Sequence, residues 1–149
     1  MKLAFFGTPE FAVPSLDALL ASRHEVVLVV AQPDRRAGRG MSLRRPPVAE
    51  RAAERGIPLL QPERIRDEGF VAAFAAAGVD AAAVVAYGKI LPASLLALPR
   101  HGFLNVHGSI LPQYRGAAPI QRAIESGESK TGVTIMQLDE QMDHGPVFA

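Results

Sequence analysis

The sequence contains no cysteine and no tryptophan, and aromatic residues make up 6% of it. The first absence excludes a disulfide framework, a thiolate nucleophile and any zinc or iron–sulfur site built on thiolates. Long apolar runs are also missing: no stretch reaches the 18 uninterrupted apolar residues that a membrane-spanning helix needs, and the opening run after Met1 is too short for a signal peptide. A soluble, cytoplasmic chain without a membrane role is the expectation. Neither kind of charge dominates, with 16 Lys and Arg against 15 Asp and Glu and a formal net charge of +1. Intrinsic disorder is a poor reading, because 48% of the residues are hydrophobic and 21% charged, close to ordinary globular usage. A length of 149 residues points to one domain with a sizeable core.

The small net charge conceals a separation. Arg35, Arg36, Arg39, Arg44 and Arg45 stand against a single Asp34, a local +4 within residues 34–45, which leaves the rest of the chain at −3. Guanidinium groups match phosphate oxygens, and loops as long as 32–47 are uncommon unless functional. An anionic partner at this segment is therefore expected, although a solvated charge run has the same composition. No aromatic residue interleaves the arginines, so base stacking is not expected there.

Alternating patterns organise the chain. Residues 3–6 read as a strand, with Gly7, Thr8 and Pro9 supplying a turn, a helix cap and a first-turn proline, and a helix to about residue 21 with Phe11, Leu16, Leu19 and Leu20 near one face. Residues 25–31 return as a β-branched strand. A helix over 48–55 closed by Gly56, a short strand at 57–60 and a helix capped by Asp67 and ended by Gly78 follow. Residues 81–86, 103–107 and 133–138 read as further strands, with a helix over 117–126. The alanines of 72–77 and 81–83 suit a tight helix–sheet contact. Strands alternating with helices imply an α/β fold: a Rossmann-like, doubly wound, mostly parallel sheet with helices on both faces. The last residues stop on an apolar run with neither cap nor polar tail, so the fold is expected to continue beyond residue 149.

Ligands of open α/β sheets bind outside the carboxyl ends of the strands. The turn at 7–12 has one glycine where a dinucleotide fingerprint needs three, which disfavours a nicotinamide cofactor, and no P-loop occurs. The strand at 103–107 is more informative. Asn105 and His107, two apart, project from one face at its end, where an amide donor and an imidazole suit a developing oxyanion. Asp143 lies 36 residues further on. If the intervening strand runs parallel to its neighbour, the Asp143 turn lies beside His107 and holds the imidazole in one tautomer or accepts a proton. A structural histidine and a turn aspartate would leave the same residues, and Asp139 competes with Asp143 for the role. His107, Asp143 and His144 lack metal-ligand spacing, so no metal is expected, and Ser109 lacks the nucleophile elbow of serine hydrolases.

Asn105-x-His107-x-Ser109-x-Leu111-Pro112, followed by Arg115-Gly116 and Asp143-x-Gly145, resembles the folate-dependent formyltransferases. The segments 6–9, 32–40, 116–124 and 131–137 resemble the branch acting on methionyl-tRNA, so the likeness covers nearly the whole chain. It implies transfer of a formyl group from 10-formyltetrahydrofolate to the amine of methionyl initiator tRNA, with Asn105, His107 and Asp143 as catalytic residues and no metal. It further implies folate along Tyr87, Gly88, Ile90 and Leu91 and along Ser109, Ile110, Leu111 and Pro112. Transfer RNA would meet Arg35, Arg36, Arg39, Arg44 and Arg45, and the protein would be a monomer. Residues 1–149 would be an incomplete N-terminal catalytic domain, without the linked β-barrel of such enzymes. Two alternatives stay open: a sugar-nucleotide or ribonucleotide amine as acceptor, and an inert folate- or RNA-binding fragment.

Overall fold

The computed structural model describes residues 1–37, 42–141 and 143–149. A six-stranded sheet forms its centre, in the order β5-β2-β1-β6-β7-β8. β1 (Lys2–Gly7), β2 (Glu25–Val30), β5 (Leu59–Leu60), β6 (Ala81–Val85) and β7 (Phe103–His107) run parallel. β8 (Thr134–Gln137) pairs antiparallel with β7, His107 opposite Thr134 and Leu104 opposite Gln137. The expected parallel pairing at this place is therefore overturned: Thr134, held by Ser109 and Leu111 of the turn after β7, starts β8 beside the end of β7, so the chain after α5 (Pro119–Glu125) returns along the sheet edge instead of crossing over it.

Two clusters of buried side chains cover the two faces of the sheet. On one, Phe6, Leu28, Val30 and Val84 pack against Phe70 and Phe74 of α3 (Glu68–Ala76) and Leu95 of α4 (Ala93–Leu96). Phe6 meets Phe74, Tyr87 and Phe103 edge-on, at centroid separations of 5.3 to 5.6 Å that favour aromatic pairs. On the other face, Phe5, Val29 and Val85 pack against Val13 and Leu16 of α1 (Val13–Leu20) and against Val48, Ala49 and Ala52 of α2 (Pro47–Glu54). β1, β2 and β6 thus bury side chains of both parities, which is why they read as continuous apolar runs rather than alternating ones. The Asp67 cap forms as expected, its Oδ1 accepting the Phe70 N–H at 3.0 Å.

Other expectations need correction. Phe11 is exposed, because residues 10–12 form a 3₁₀ turn that displaces it from the buried face of α1. Thr8 caps no helix; its hydroxyl donates across the sheet end to the Tyr87 carbonyl at 2.9 Å. Ala72, Ala73, Ala75 and Ala76 face solvent, the contact of α3 with the sheet being made by its phenylalanines. The polar segment after β2 is not irregular throughout: β3 (Arg35–Ala37) and β4 (Ser42–Arg44) form an antiparallel hairpin with Arg35 opposite Arg44. It stands as a two-stranded sheet apart from the central one.

The chain leaves β5 on one side of β1 and resumes with β6 on the other. The strand order therefore reverses between β1 and β6, the place where open sheets accept ligands. Gly7, at the end of β1, is there by necessity. A Cβ on it would stand 2.7 Å from the Phe5 ring and 3.1 Å from the Val85 carbonyl oxygen.

Candidate active site

β7 ends at His107 and delivers two of the three expected residues to one face. Asn105 and His107 alternate with Leu104 and Val106, which the antiparallel register pairs with Gln137 and Ile135. Asp143 reaches the same face by another route than the sequence suggested. Because β8 runs away from the His107 end, the chain must turn back after it before residues 146–149 rejoin β8 by the Met136–Val147 bridge. Gly145 makes that return feasible, since a Cβ there would collide with the Gln137 carbonyl oxygen. Asp143 itself takes a left-handed backbone, φ +49°, one that aspartate tolerates better than most residues.

The three side chains meet around the Asp143 carboxylate. Its Oδ1 lies 3.4 Å from the Asn105 amide nitrogen, and its Oδ2 accepts the Gly116 N–H at 2.7 Å. Nδ1 of His107 stands 3.7 Å from Oδ2, beyond a direct hydrogen bond, and the two form an ion pair only when the ring is protonated. The carboxylate and the ring are nearly withdrawn from solvent, 8% and 6% exposed. The other ring nitrogen, Nε2, donates to the Tyr114 carbonyl at 2.9 Å, which sets the tautomer with the proton on Nε2. Asp139, the competing carboxylate, turns away toward His144, 3.4 Å from its Nδ1 in an exposed pair.

Strain gathers around this constellation. Tyr114, Ala118 and Asp143 have φ of +54°, +57° and +49°, values that side-chain-bearing residues adopt only where their surroundings impose them. The surroundings are visible. Ser109, fully buried, donates to the Gln113 carbonyl at 2.5 Å. Thr134 donates to the Ser109 carbonyl at 2.7 Å and accepts the Leu111 N–H at 3.0 Å. The turn after His107 is thereby tied to β8, and the Leu111–Pro112 bond within it is cis. Ile110 projects from the turn, 54% exposed.

The segment after β6 divides in two. Tyr87 and Leu91 point into the core cluster, so any ligand meets their backbone and not their rings or methyls. Burial pushes the Tyr87 phenol up to about 12, and its hydroxyl has no hydrogen-bond partner among the described residues. Gly88 and Ile90 face outward: Gly88 holds φ +84°, and Ile90 is 74% exposed.

A separate cleft of about 1110 Å³ opens at the strand reversal, floored by Thr8, Ala86 and Gly88 and walled by Arg35, Arg44 and Arg45. Asn105, His107 and Asp143 do not line it; the link is residues 86–88, which leave β6 next to β7. Arg36 is exposed on the hairpin strand, and Arg39 lies outside the described residues. Among the described residues no group of His, Asp and Glu is gathered for a metal, and no helix is long and apolar enough to cross a membrane.

Sequence reasoning missed the backbone part of this site. The Tyr114 carbonyl and the Gly116 N–H fix ring and carboxylate, yet neither depends on a side chain. The glycine at 116, with φ +86°, was the one available signal.

Comparison with known proteins agrees with this fold. A family described as formyl transferase matches residues 1–149. A methionyl-tRNA formyltransferase of Sorangium cellulosum is 58% identical over 149 residues, all of this chain and 48% of that protein. One of Deinococcus radiodurans is 60% identical over 148 residues, 99% of this chain and 46% of that protein. The chain thus spans about half the length of the curated relatives it matches. Among solved structures, a phosphoribosylglycinamide formyltransferase from Bacillus halodurans shares the fold, with a TM-score of 0.79 at 23% identity over all of this chain and 77% of that one. A glycinamide ribonucleotide transformylase from Geobacillus kaustophilus gives 0.76 at 28% identity, over 99% of this chain and 79% of that one.

Proposed function

This chain belongs to the formyl transferase family, and from that premise we propose that it carries the catalytic apparatus for moving a formyl group from 10-formyltetrahydrofolate to the amine of methionyl initiator tRNA. Residues 1–149 are, on this reading, the N-terminal catalytic region of an enzyme that acts as a cytoplasmic monomer. The single observation that carries the reading is the convergence of Asn105, His107 and Asp143 on one buried face at the end of β7.

The uncharged amine attacks the formyl carbon, a C–N bond forms, and the carbonyl oxygen takes up negative charge in a tetrahedral intermediate. Asn105 Nδ2 and His107 Nε2 are the donors available to that oxygen. In the ligand-free site both have other acceptors, Asp143 and the Tyr114 carbonyl, so binding must exchange these for the substrate oxygen. The amine then loses a proton, the bond from the formyl carbon to N10 breaks, and N10 leaves protonated. Asp143, beside the ring and already holding the Gly116 N–H, is the carboxylate placed to take the amine's proton, which passes on to N10 as that nitrogen leaves.

The exposed Ile90 and Ile110 give folate two apolar contacts, the backbone of Tyr87, Gly88 and Leu91 gives it polar groups, and Ser109, Leu111 and Pro112 hold the opposing turn. The positive wall of the cleft, Arg35, Arg44 and Arg45 with Arg36 and Arg39 on the same segment, supports an RNA acceptor over a small ribonucleotide amine. Formyl transfer to charged initiator tRNA by this chain and by its His107→Ala variant tests the reading. The expected loss is on the order of 10² to 10³ in rate. Equal, near-background rates would leave a binding module and no enzyme.

A further inference from the structure

The arginine hairpin is a small object to hold in place. Its strands are three residues each, it is separate from the central sheet, and Ser42, Leu43 and Arg44 are all exposed. A two-stranded ribbon of that size is marginal by itself, and exposed Arg35, Arg36 and residues 42–44 contribute little burial to fix its angle. Its base, however, is gripped by polar side chains that the formyl-transfer chemistry does not use.

Gln61, just past β5, donates from one amide nitrogen to two acceptors, the Gln32 carbonyl at 2.9 Å and Asp34 Oδ1 at 2.7 Å. The other Asp34 oxygen lies 3.8 Å from Nε of Arg45, at the far leg of the hairpin. Gln32, itself 7% exposed, donates to the Tyr87 carbonyl at 3.1 Å and accepts from Arg35, at the near leg, at 3.3 Å. The near leg is thus tied through Gln32 to Tyr87 on the cleft floor and the far leg through Asp34 to Gln61 at the end of β5, with Gln61 bonded to both Gln32 and Asp34.

We propose that Gln61 and Asp34 are positioning residues that hold the arginine hairpin over the cleft, so that its guanidinium groups meet an RNA phosphate backbone already arrayed. The inference rests on the RNA reading above and adds residues that do not touch the RNA. Its force lies in a sign. Asp34 is the single acid in the +4 segment, so by charge alone its removal tightens the grip on a polyanion. If it instead sets the hairpin, its removal frees the arginines, and binding must order them again at an entropic cost.

The test is binding of a fluorescent RNA stem-loop with a single-stranded 3′ end to the wild-type chain and to Gln61→Ala, Asp34→Ala and Asp34→Asn. Gln61→Ala and Asp34→Ala are expected to weaken binding by about fivefold to tenfold, the scale of one or two hydrogen bonds. Asp34→Asn keeps an oxygen for Gln61 and recovers most of the loss. Amide exchange at residues 35–37 and 42–44 should quicken in both alanine variants while the thermal midpoint of the whole chain barely moves. Tighter RNA binding by Asp34→Ala, or a Gln61→Ala variant that matches wild type in binding and exchange, overturns the inference. A wild-type chain whose RNA affinity neither falls with salt nor responds to Arg44→Ala sinks the RNA reading itself. Salt-sensitive, Arg44-dependent binding with a silent Gln61→Ala sinks the positioning role alone.

Discussion

The Tyr114 carbonyl oxygen lies 2.9 Å from Nε2 of His107, so the ring nitrogen pointing away from Asp143 is occupied before any substrate arrives. Tyr114 presents that oxygen from a left-handed backbone, φ +54°, which a bulky side chain adopts only under constraint. On the function proposed above, an incoming oxyanion would compete with a carbonyl already in place.

Replacing Asp143 separates its electrostatic role from its structural one. Asp143→Asn keeps an oxygen for the Gly116 N–H, so the thermal midpoint should stay near wild type while formyl transfer falls by more than about tenfold. Asp143→Ala should lose the same activity and also about 1 to 3 kcal/mol of stability, because a partly buried N–H goes unpaired. Urea titration beside the activity assay checks both, and an Asn variant at full activity contradicts the assignment.

Tyr87 makes an alkaline prediction with a definite sign. Its phenol is raised from 10.0 to about 12 in the folded chain, so folding favours the neutral form. The unfolded chain releases this proton first. The associated stability is intact below pH 10 and drains away between pH 10 and about 12. Tyr87→Phe should remove that dependence and, by deleting a buried hydroxyl with no partner, leave stability at neutral pH equal or higher. Denaturant midpoints at pH 8 and pH 11 decide it.

Gly7→Ala should destabilise the chain by about 1 to 3 kcal/mol through overpacking, since the new methyl meets the Phe5 ring at 2.7 Å and the Val85 carbonyl at 3.1 Å. Of these two, the carbonyl belongs to a central strand and has little freedom to yield. A neutral result in urea unfolding would mean that the turn after β1 shifts more easily than its packing indicates.

Arg44→Ala should flatten the salt dependence of RNA binding. Every phosphate that the protein no longer neutralises lowers the slope of log affinity against log salt by about 0.7 to 0.9. Affinities measured across a salt series supply the slope directly, and an unchanged slope would remove Arg44 from the interface.

Strand β7 and the helix capped by Asp67 were legible because their signals are local: an apolar run ending at His107, and an aspartate three residues before the amide it caps. The β3–β4 hairpin was not, because arginine, glycine and serine carry no alternating apolar pattern, and its pairing rests on backbone bonds. The direction of β8 was not legible either. A short apolar strand reads the same both ways, and only its neighbour's hydrogen bonds orient it.

By itself the sequence determined that an amide and an imidazole two residues apart share one face of a strand end, since side chains on a strand alternate whatever the strand packs against. It also determined that positive charge collects in one segment after β2. Only the tertiary structure decided that Asp143, and not Asp139, closes on that pair, that Tyr114 and Gly116 complete the site through their backbones, and that the arginines stand on a tethered hairpin. The reason is physical: these are contacts between segments distant along the chain or through main-chain atoms, and which of them form is settled by where the strands bring the chain back.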